Sequence, residues 1–169
     1  MAYSNTEGKK IRVERKGLKA IQRRVPKHDY LKYYRVVRYW AKKKYDLNDS
    51  EIEIIQYINS ERLFTRNEFN TYCSIFSWNN DRFKNLLRDG WIRSWRNAGG
   101  GRSALYEASE KSRRMMVSFY KKLNGEENFP TTVVDNPVFK KDTYTNKVMA
   151  NQMVRINKEM QARRKRGEI

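Results

Sequence analysis

The chain has 169 residues, a length that suits one domain with terminal extensions. Its 37 lysines and arginines outnumber its 19 acidic residues, which gives a formal net charge of +18, while an aromatic content of 13% argues against a purely disordered polycation. The chain has no apolar run long enough for a transmembrane helix and no apolar stretch typical of a secretory signal near its start, and its single cysteine and single histidine exclude an intrachain disulfide and a Cys/His zinc cluster.

The same inventory disfavours catalysis. The only histidine, His28, stands beside a basic stretch without a nucleophile motif, so a Ser-His-Asp triad is not expected. We therefore expect no enzyme activity, no cofactor and no metal site. We expect an intracellular protein associated with nucleic acid, in the cytoplasm, the nucleoid or a virion, and the Tyr/Lys/Asn-rich composition would suit a virus- or phage-encoded protein.

The first 28 residues form a predicted basic arm. Residues 1–28 carry nine basic and two acidic residues, and residues 140–169 carry nine basic and three acidic residues, so 13 of the 18 excess charges lie in these two ends. Blocks of like charge are typical of arms that meet a polyanion. Nucleic acid is favoured over a membrane because the N-terminal arm has no Trp or Phe to anchor it in a bilayer interface. The residues expected to neutralise phosphates are Lys9, Lys10, Arg12, Arg15, Lys16, Arg23, Arg24, Arg163, Arg164, Lys165 and Arg166.

Four helices are predicted between the arm and Gly90. Apolar residues at three- and four-residue spacing indicate the first helix, Tyr30–Tyr45. Asn48–Glu51 and Thr65–Glu68 match the capping box that begins a helix, and a fourth helix runs from about Trp78 to Arg88 before Gly90 ends it. The residues assigned to the inward faces of the four helices are Leu31, Tyr34, Val37, Trp40, Ala41, Ile52, Ile55, Ile58, Phe69, Tyr72, Cys73, Phe83, Leu86 and Leu87.

A β-hairpin is predicted after Gly90. Trp91–Arg96 and Ser103–Glu107 are rich in strand-forming residues and flank the glycine-rich turn Asn97–Gly101, and both Trp91 and Trp95 are assigned to the core. A further amphipathic helix then begins at Ser109-Glu110. Its predicted apolar stripe consists of Met115, Met116, Phe119, Tyr120 and Leu123.

The last part of the chain is predicted to be a separate basic helix. Residues 124–142 contain Gly125, Pro130 and Pro137 without any periodicity and are interpreted as a linker or a loop that clings to the domain. Residues 143–169 then carry a narrow apolar seam, as coiled-coil or docking helices do, and we expect this seam to pair with a second copy in a homodimer. The seam consists of Met149, Met153, Ile156 and Met160.

The order helix, turn, helix and hairpin resembles winged helix-turn-helix DNA-binding domains, above all the MarR-like regulators. The resemblance covers Tyr30–Leu123. Leu47–Glu51 looks like the family's L-T-x-x-E helix start, and Phe83–Ile92 is similar to the end of its recognition helix. Leu105–Ser109 looks like the return strand of its wing, whereas the tip at Asn97–Arg102 keeps only the arginine of the family's Asp-x-Arg signature.

The resemblance implies a DNA-binding fold. With the dimer expected from the apolar seam, we expect a transcription regulator that places its fourth helix in the major groove and its wing on the backbone or minor groove. Side-chain chemistry points the same way, since asparagine pairs with adenine and arginine with guanine, and the start of a recognition helix reaches base edges first. The candidate DNA contacts are Ser77, Asn79, Asn80, Arg82, Lys84, Asn85, Arg88, Arg93, Arg96 and Arg102.

The predicted fold class is mainly α with a small β-hairpin, organised as a winged helix-turn-helix domain with a basic N-terminal arm and a separate C-terminal helix. The predicted segments are the arm at 1–28, the winged-helix domain at 29–123, the linker at 124–142 and the basic amphipathic helix at 143–169. Two other functions stay open. One is an architectural or assembly protein of a nucleoprotein, ribonucleoprotein or virion that uses its basic arms. The other is a ligand-responsive sensor, for which no convergent polar groups indicate a pocket.

Overall fold

A computed structural model describes residues 30–167 of the chain. These residues form six α-helices and a small three-stranded antiparallel sheet, which confirms the mainly α prediction. In chain order the elements are α1 (Tyr30–Tyr45), α2 (Asp49–Ser60), β1 (Phe64–Thr65), α3 (Arg66–Phe76), α4 (Arg82–Arg88), β2 (Ile92–Arg96), β3 (Leu105–Ala108), α5 (Glu110–Asn124), a 3₁₀ helix (Pro137–Lys140) and α6 (Tyr144–Lys165). The predicted N-terminal arm, including its candidate residues Lys9, Lys10, Arg12, Arg15, Lys16, Arg23 and Arg24, lies outside the described residues.

The predicted capping boxes are confirmed, and they determine where α2 and α3 begin. The Asn48 side chain accepts a hydrogen bond from the Glu51 N–H at 2.9 Å, and the Glu51 carboxylate accepts one from the Asn48 N–H at 2.9 Å. Thr65 and Glu68 make the same reciprocal pair at the start of α3. Each box satisfies N–H groups that a helix would otherwise leave unpaired. Ser109 caps α5 by accepting from the Ser112 N–H at 3.2 Å.

The sheet has one strand more than the predicted hairpin. Its order is β1–β3–β2, and both pairings are antiparallel. The sequence pattern missed β1 because this strand has only two residues, and one of them, Thr65, also serves as the N-cap of α3. The pairing of β2 with β3 shifts register between Ser94 and Arg96, so Trp95 lies at an irregular point of the ladder.

Helix α4 is shorter than predicted, because it begins at Arg82 and not at Trp78. Ser77 adopts a left-handed conformation with φ of 56° and ends α3. The Asn79 side chain then accepts a hydrogen bond from the Asp81 N–H at 2.7 Å. Such local side-chain bonds offer the backbone an alternative to the helix, and here they keep the chain in a turn for one helical turn longer.

Four residues that the pattern assigned to buried faces are exposed: Leu31, Leu87, Trp95 and Tyr120. The predicted burial of Leu31 is wrong because the buried stripe of α1 runs through Tyr33, Val37 and Trp40, on the opposite side of the helix. The seven-residue α4 buries Phe83 and Leu86 but leaves Leu87 at the edge of its covered face.

The region after α5 belongs to the same core, so the predicted division into domain, linker and separate helix is corrected. Phe129 and Val138, in the predicted linker, are buried in one cluster with the apolar residues of α1 and α6. The Asn157 side chain of α6 accepts from the Phe129 N–H at 2.8 Å and donates to the Phe129 carbonyl at 2.9 Å. Burial of apolar side chains and this two-sided hydrogen bond join α6 to the rest of the domain.

The methionine seam of α6 faces its own chain. Met149, Met153, Ile156 and Met160 are all buried, and α6 packs against α1 and the 3₁₀ helix. The Asn136 amide lies 3.3 Å from the Met153 sulfur. The seam is therefore covered by its own chain, whereas the spacing predicted that it would pair with a second copy.

Candidate nucleic-acid interface

The exposed face of α4 carries three of the candidate contacts, Lys84, Asn85 and Arg88. They project to solvent because Phe83 and Leu86 hold the opposite face of α4 on the core. The Arg88 guanidinium donates to the Asp89 carboxylate at 2.9 Å, in an exposed ion pair. The side chains of Lys84 and Asn85 make no hydrogen bond or ion pair within residues 30–167.

The turn before α4 presents Ser77, Asn79 and Asn80, all exposed. Arg66 of α3 fixes this turn, because its guanidinium donates to the Asn80 carbonyl at 3.0 Å and lies 4.3 Å from the centre of the Phe83 ring. The turn is thus tied both to α3 and to the buried face of α4. No sequence signal singles out Arg66, because an arginine in the first turn of a helix is usually a solvated residue.

Arg82 does not face outward as predicted. Its guanidinium lies 3.4 Å from the Glu51 carboxylate, the same group that caps α2. Both side chains are partly buried, and the Nε atom of Arg82 is buried without a partner. Arg82 therefore ties the start of α4 to the start of α2, and only part of its side chain is exposed.

The β-hairpin formed by β2, β3 and their connecting turn, the predicted wing, uses two of its three candidate arginines internally. Arg93 donates to the Glu107 carboxylate at 2.8 Å, and Arg96 donates to the Ser103 carbonyl at 3.3 Å. Arg102, at the tip, has an exposed side chain beside Gly100 and Gly101, whose positive φ angles of 57° and 75° favour glycine in this tight turn. Of the predicted wing contacts, only Arg102 is an uncommitted cation among the described residues.

The carboxylate of Glu107 is the charged centre that sequence reasoning missed. Its side chain is 8% exposed, and it accepts hydrogen bonds from both Arg93 and Arg113. Burial alone would raise the pKa of Glu107, but the hydrogen bonds from the two guanidinium groups lower it below its usual range. Glu107 therefore stays ionised and holds both arginines in place. The one sequence signal for Glu107 is its position inside a predicted strand, where a charged residue is buried only if it is paired.

The basic end of α6 is partly used for packing. Arg164 donates to the Gly125 carbonyl at 2.9 Å and thereby fastens α6 to the end of α5. The Lys165 and Arg166 side chains are exposed, and Arg163 is half-buried. This part of the candidate set thus includes an arginine that anchors α6 and an exposed lysine, Lys165, that can reach phosphate.

Comparisons of the chain with protein-family models, curated proteins and solved structures found no match. In residues 30–167, no helix is long and apolar enough to cross a membrane. The same residues contain no cluster of three or more His, Cys, Asp or Glu side chains that could hold a metal ion.

Proposed function

We propose that the chain is a winged-helix transcription regulator that binds duplex DNA, with α4 in the major groove and the wing on the neighbouring backbone or minor groove. The connectivity α2–β1–α3–α4–β2–β3 with sheet order β1–β3–β2 carries this proposal. In helix-turn-helix proteins the second helix of the pair enters the major groove. Here α4 is that second helix, and the wing follows it directly.

The chemistry of the exposed α4 face supports base reading. Asn85 can pair through its amide with adenine, and Lys84 can contact a guanine or a phosphate. The amides of Asn79 and Asn80 lie immediately before α4, where a recognition helix comes nearest to base edges. Arg102 at the tip of the wing suits a phosphate or a narrow minor groove.

A second candidate, an architectural nucleic-acid-binding protein, is favoured by the distribution of charge. Arg82, Arg93 and Arg96 are held by internal hydrogen bonds, and Arg88 faces Asp89. By sequence, the largest net excess of positive charge lies in the two ends of the chain. Binding that depends on such arms is strong but independent of sequence.

Selection from a random pool of duplex DNA, followed by sequencing, tests both functions. The wild-type chain is compared with a Lys84→Ala/Asn85→Ala double variant. The matched control is Lys158→Ala/Gln161→Ala, which removes one lysine and one amide from the exposed face of α6. A base contact contributes about 1–3 kcal/mol of discrimination, so the α4 variant is expected to lose at least about fivefold in preference.

A regulator enriches a sequence motif that the α4 variant loses and the α6 control keeps. Tight binding without enrichment, equal in all three proteins, would contradict the regulator and support the architectural protein. If the wild-type chain fails to bind duplex DNA at physiological salt, the regulator is overturned, and so is an architectural protein of duplex DNA.

A further inference from the structure

A groove of about 350 Å³ lies on the face of the sheet opposite α4. Strand alternation separates the two faces, because the Tyr106 ring packs 4.9 Å from the Phe83 ring of α4 while Glu107, the next residue, points the other way. The groove is enclosed by the connection from α2 to β1, by the strands β2 and β3, and by α5. Its lining includes Arg62, Trp95 and Arg113.

Trp95 gives this groove an exposed aromatic surface. Its side chain is 55% exposed, whereas Trp40 and Trp91 are buried and Trp78 is half-buried. No aromatic or cationic side chain of the described residues stacks on Trp95. A large flat ring that remains this accessible beside a groove is a stacking surface for a nucleobase, since every base has a π-face.

Arg113, which lines the groove, and Arg93, which lies beside it, are both held by Glu107 before any ligand binds. Glu107 accepts hydrogen bonds from Arg93 and Arg113, yet these two side chains remain 56% and 44% exposed. Their outer N–H groups are therefore available to an anion. Because the two guanidinium groups are already held, less side-chain freedom is lost when they bind phosphate.

Arg62 contributes a positive charge to the groove, and no carboxylate of the described residues pairs with it. Its side chain is exposed and makes no hydrogen bond or ion pair within the described residues. Two carboxylates, those of Glu61 and Glu107, also line the groove, and Glu107 is already bound by two arginines. Within the lining, Arg62 and Arg113 balance these two carboxylates, and Arg93, which binds Glu107 from beside the groove, adds one positive charge next to it, which suits one phosphodiester.

We propose that this groove binds one nucleotide of an unpaired strand, with its base stacked on Trp95 and its phosphate between Arg62 and Arg113. The inference rests on the proposed nucleic-acid binding and adds a second, structure-selective site to it. Paired bases are already stacked inside a duplex and cannot reach the ring. The groove therefore directs the protein to duplex ends, gaps or junctions that carry a single strand.

Fluorescence anisotropy with the full chain tests the proposal on two DNAs, a blunt duplex and the same duplex extended by a thymidine overhang. Wild-type protein is expected to bind the extended DNA roughly tenfold more tightly, in line with the contribution of stacking one base. Trp95→Ala and Arg62→Ala should each reduce this ratio, while Trp95→Phe, which keeps a ring, should retain most of it. Tyr144→Ala removes another exposed aromatic side chain, on α6, and should leave the ratio unchanged.

The two readouts separate the two proposals. Affinity for the blunt duplex reports the proposed function, whereas the ratio of the two affinities reports the groove. Equal wild-type affinity for both DNAs would overturn the groove proposal, as would a Trp95→Ala variant that keeps the wild-type ratio. Binding of the extended DNA alone would support the groove and reject duplex reading by α4. Circular dichroism confirms that each variant is folded.

Discussion

The two sides of the small sheet use their polar side chains differently. On the α4 side, Lys84 and Asn85 project freely to solvent. On the opposite side, the buried Glu107 holds Arg93 and Arg113 in fixed positions. The difference shows that a count of basic residues overstates the charge that an interface offers, because a cation bound to its own chain contributes position more than net charge.

The same contrast separates individual candidates that look alike in sequence. Arg82 and Lys84 are two residues apart on α4, but Arg82 pairs with Glu51, whereas the Lys84 side chain makes no hydrogen bond or ion pair within the described residues. A held cation should therefore matter chiefly for stability, and a free one chiefly for binding. Substitutions at matched positions test whether stability and binding divide between the two kinds of cation in this way.

The largest effect on stability is expected for Glu107→Gln. This change leaves two arginines without their common carboxylate, and hydrogen bonds to charged groups contribute about 1.5–3 kcal/mol. We expect a loss of about 2 kcal/mol in the free energy of unfolding, measured by urea denaturation at neutral pH. Glu110→Gln is the control, because Glu110 makes an exposed pair with Arg114 and should change stability by less than about 0.5 kcal/mol.

The pH dependence of this variant follows from the lowered pKa of Glu107. A carboxyl group whose pKa is lower in the folded than in the unfolded state stabilises the fold above its unfolded pKa. That contribution is lost as the pH falls through the lower, folded pKa. The difference between wild type and Glu107→Gln should thus shrink once the pH drops below about 4. An unchanged difference under acidic conditions would show that Glu107 does not act through its charge.

An intermediate effect is expected for Arg66→Met, which removes the guanidinium that fixes the turn before α4. The lost bond to the Asn80 carbonyl and the lost contact with the Phe83 ring should together cost about 1 kcal/mol of stability. Duplex affinity should also fall, because the turn amides are then less well positioned. Arg35→Met, on the exposed face of α1, is the control and should alter neither quantity. Equal behaviour of the two variants would show that Arg66 does not position the turn.

The sequence predicted those features that local chemistry determines. The capping boxes at Asn48 and Thr65 and the full extent of α1 follow from short-range hydrogen bonds and apolar spacing. It did not predict where Arg82 or Arg93 would point, because their carboxylate partners lie 31 and 14 residues away along the chain. The burial of Phe129 in the supposed linker likewise depends on α6, which follows it in the chain.

The smallest effects, and the sharpest contrast, are expected for Arg82→Gln against Lys84→Gln. Arg82→Gln weakens the partly buried contact with Glu51 and should lower stability by less than about 1 kcal/mol without changing duplex binding. Lys84→Gln should leave stability unchanged. If Lys84 contacts a phosphate, its loss should reduce the slope of log K against log salt by about 0.9. We therefore expect Arg82→Gln to change the urea titration of stability and Lys84→Gln to change the salt titration of DNA binding. If Arg82→Gln reduced the salt slope as much as Lys84→Gln, Arg82 would leave Glu51 for DNA, and its internal contact would belong to the unbound protein alone.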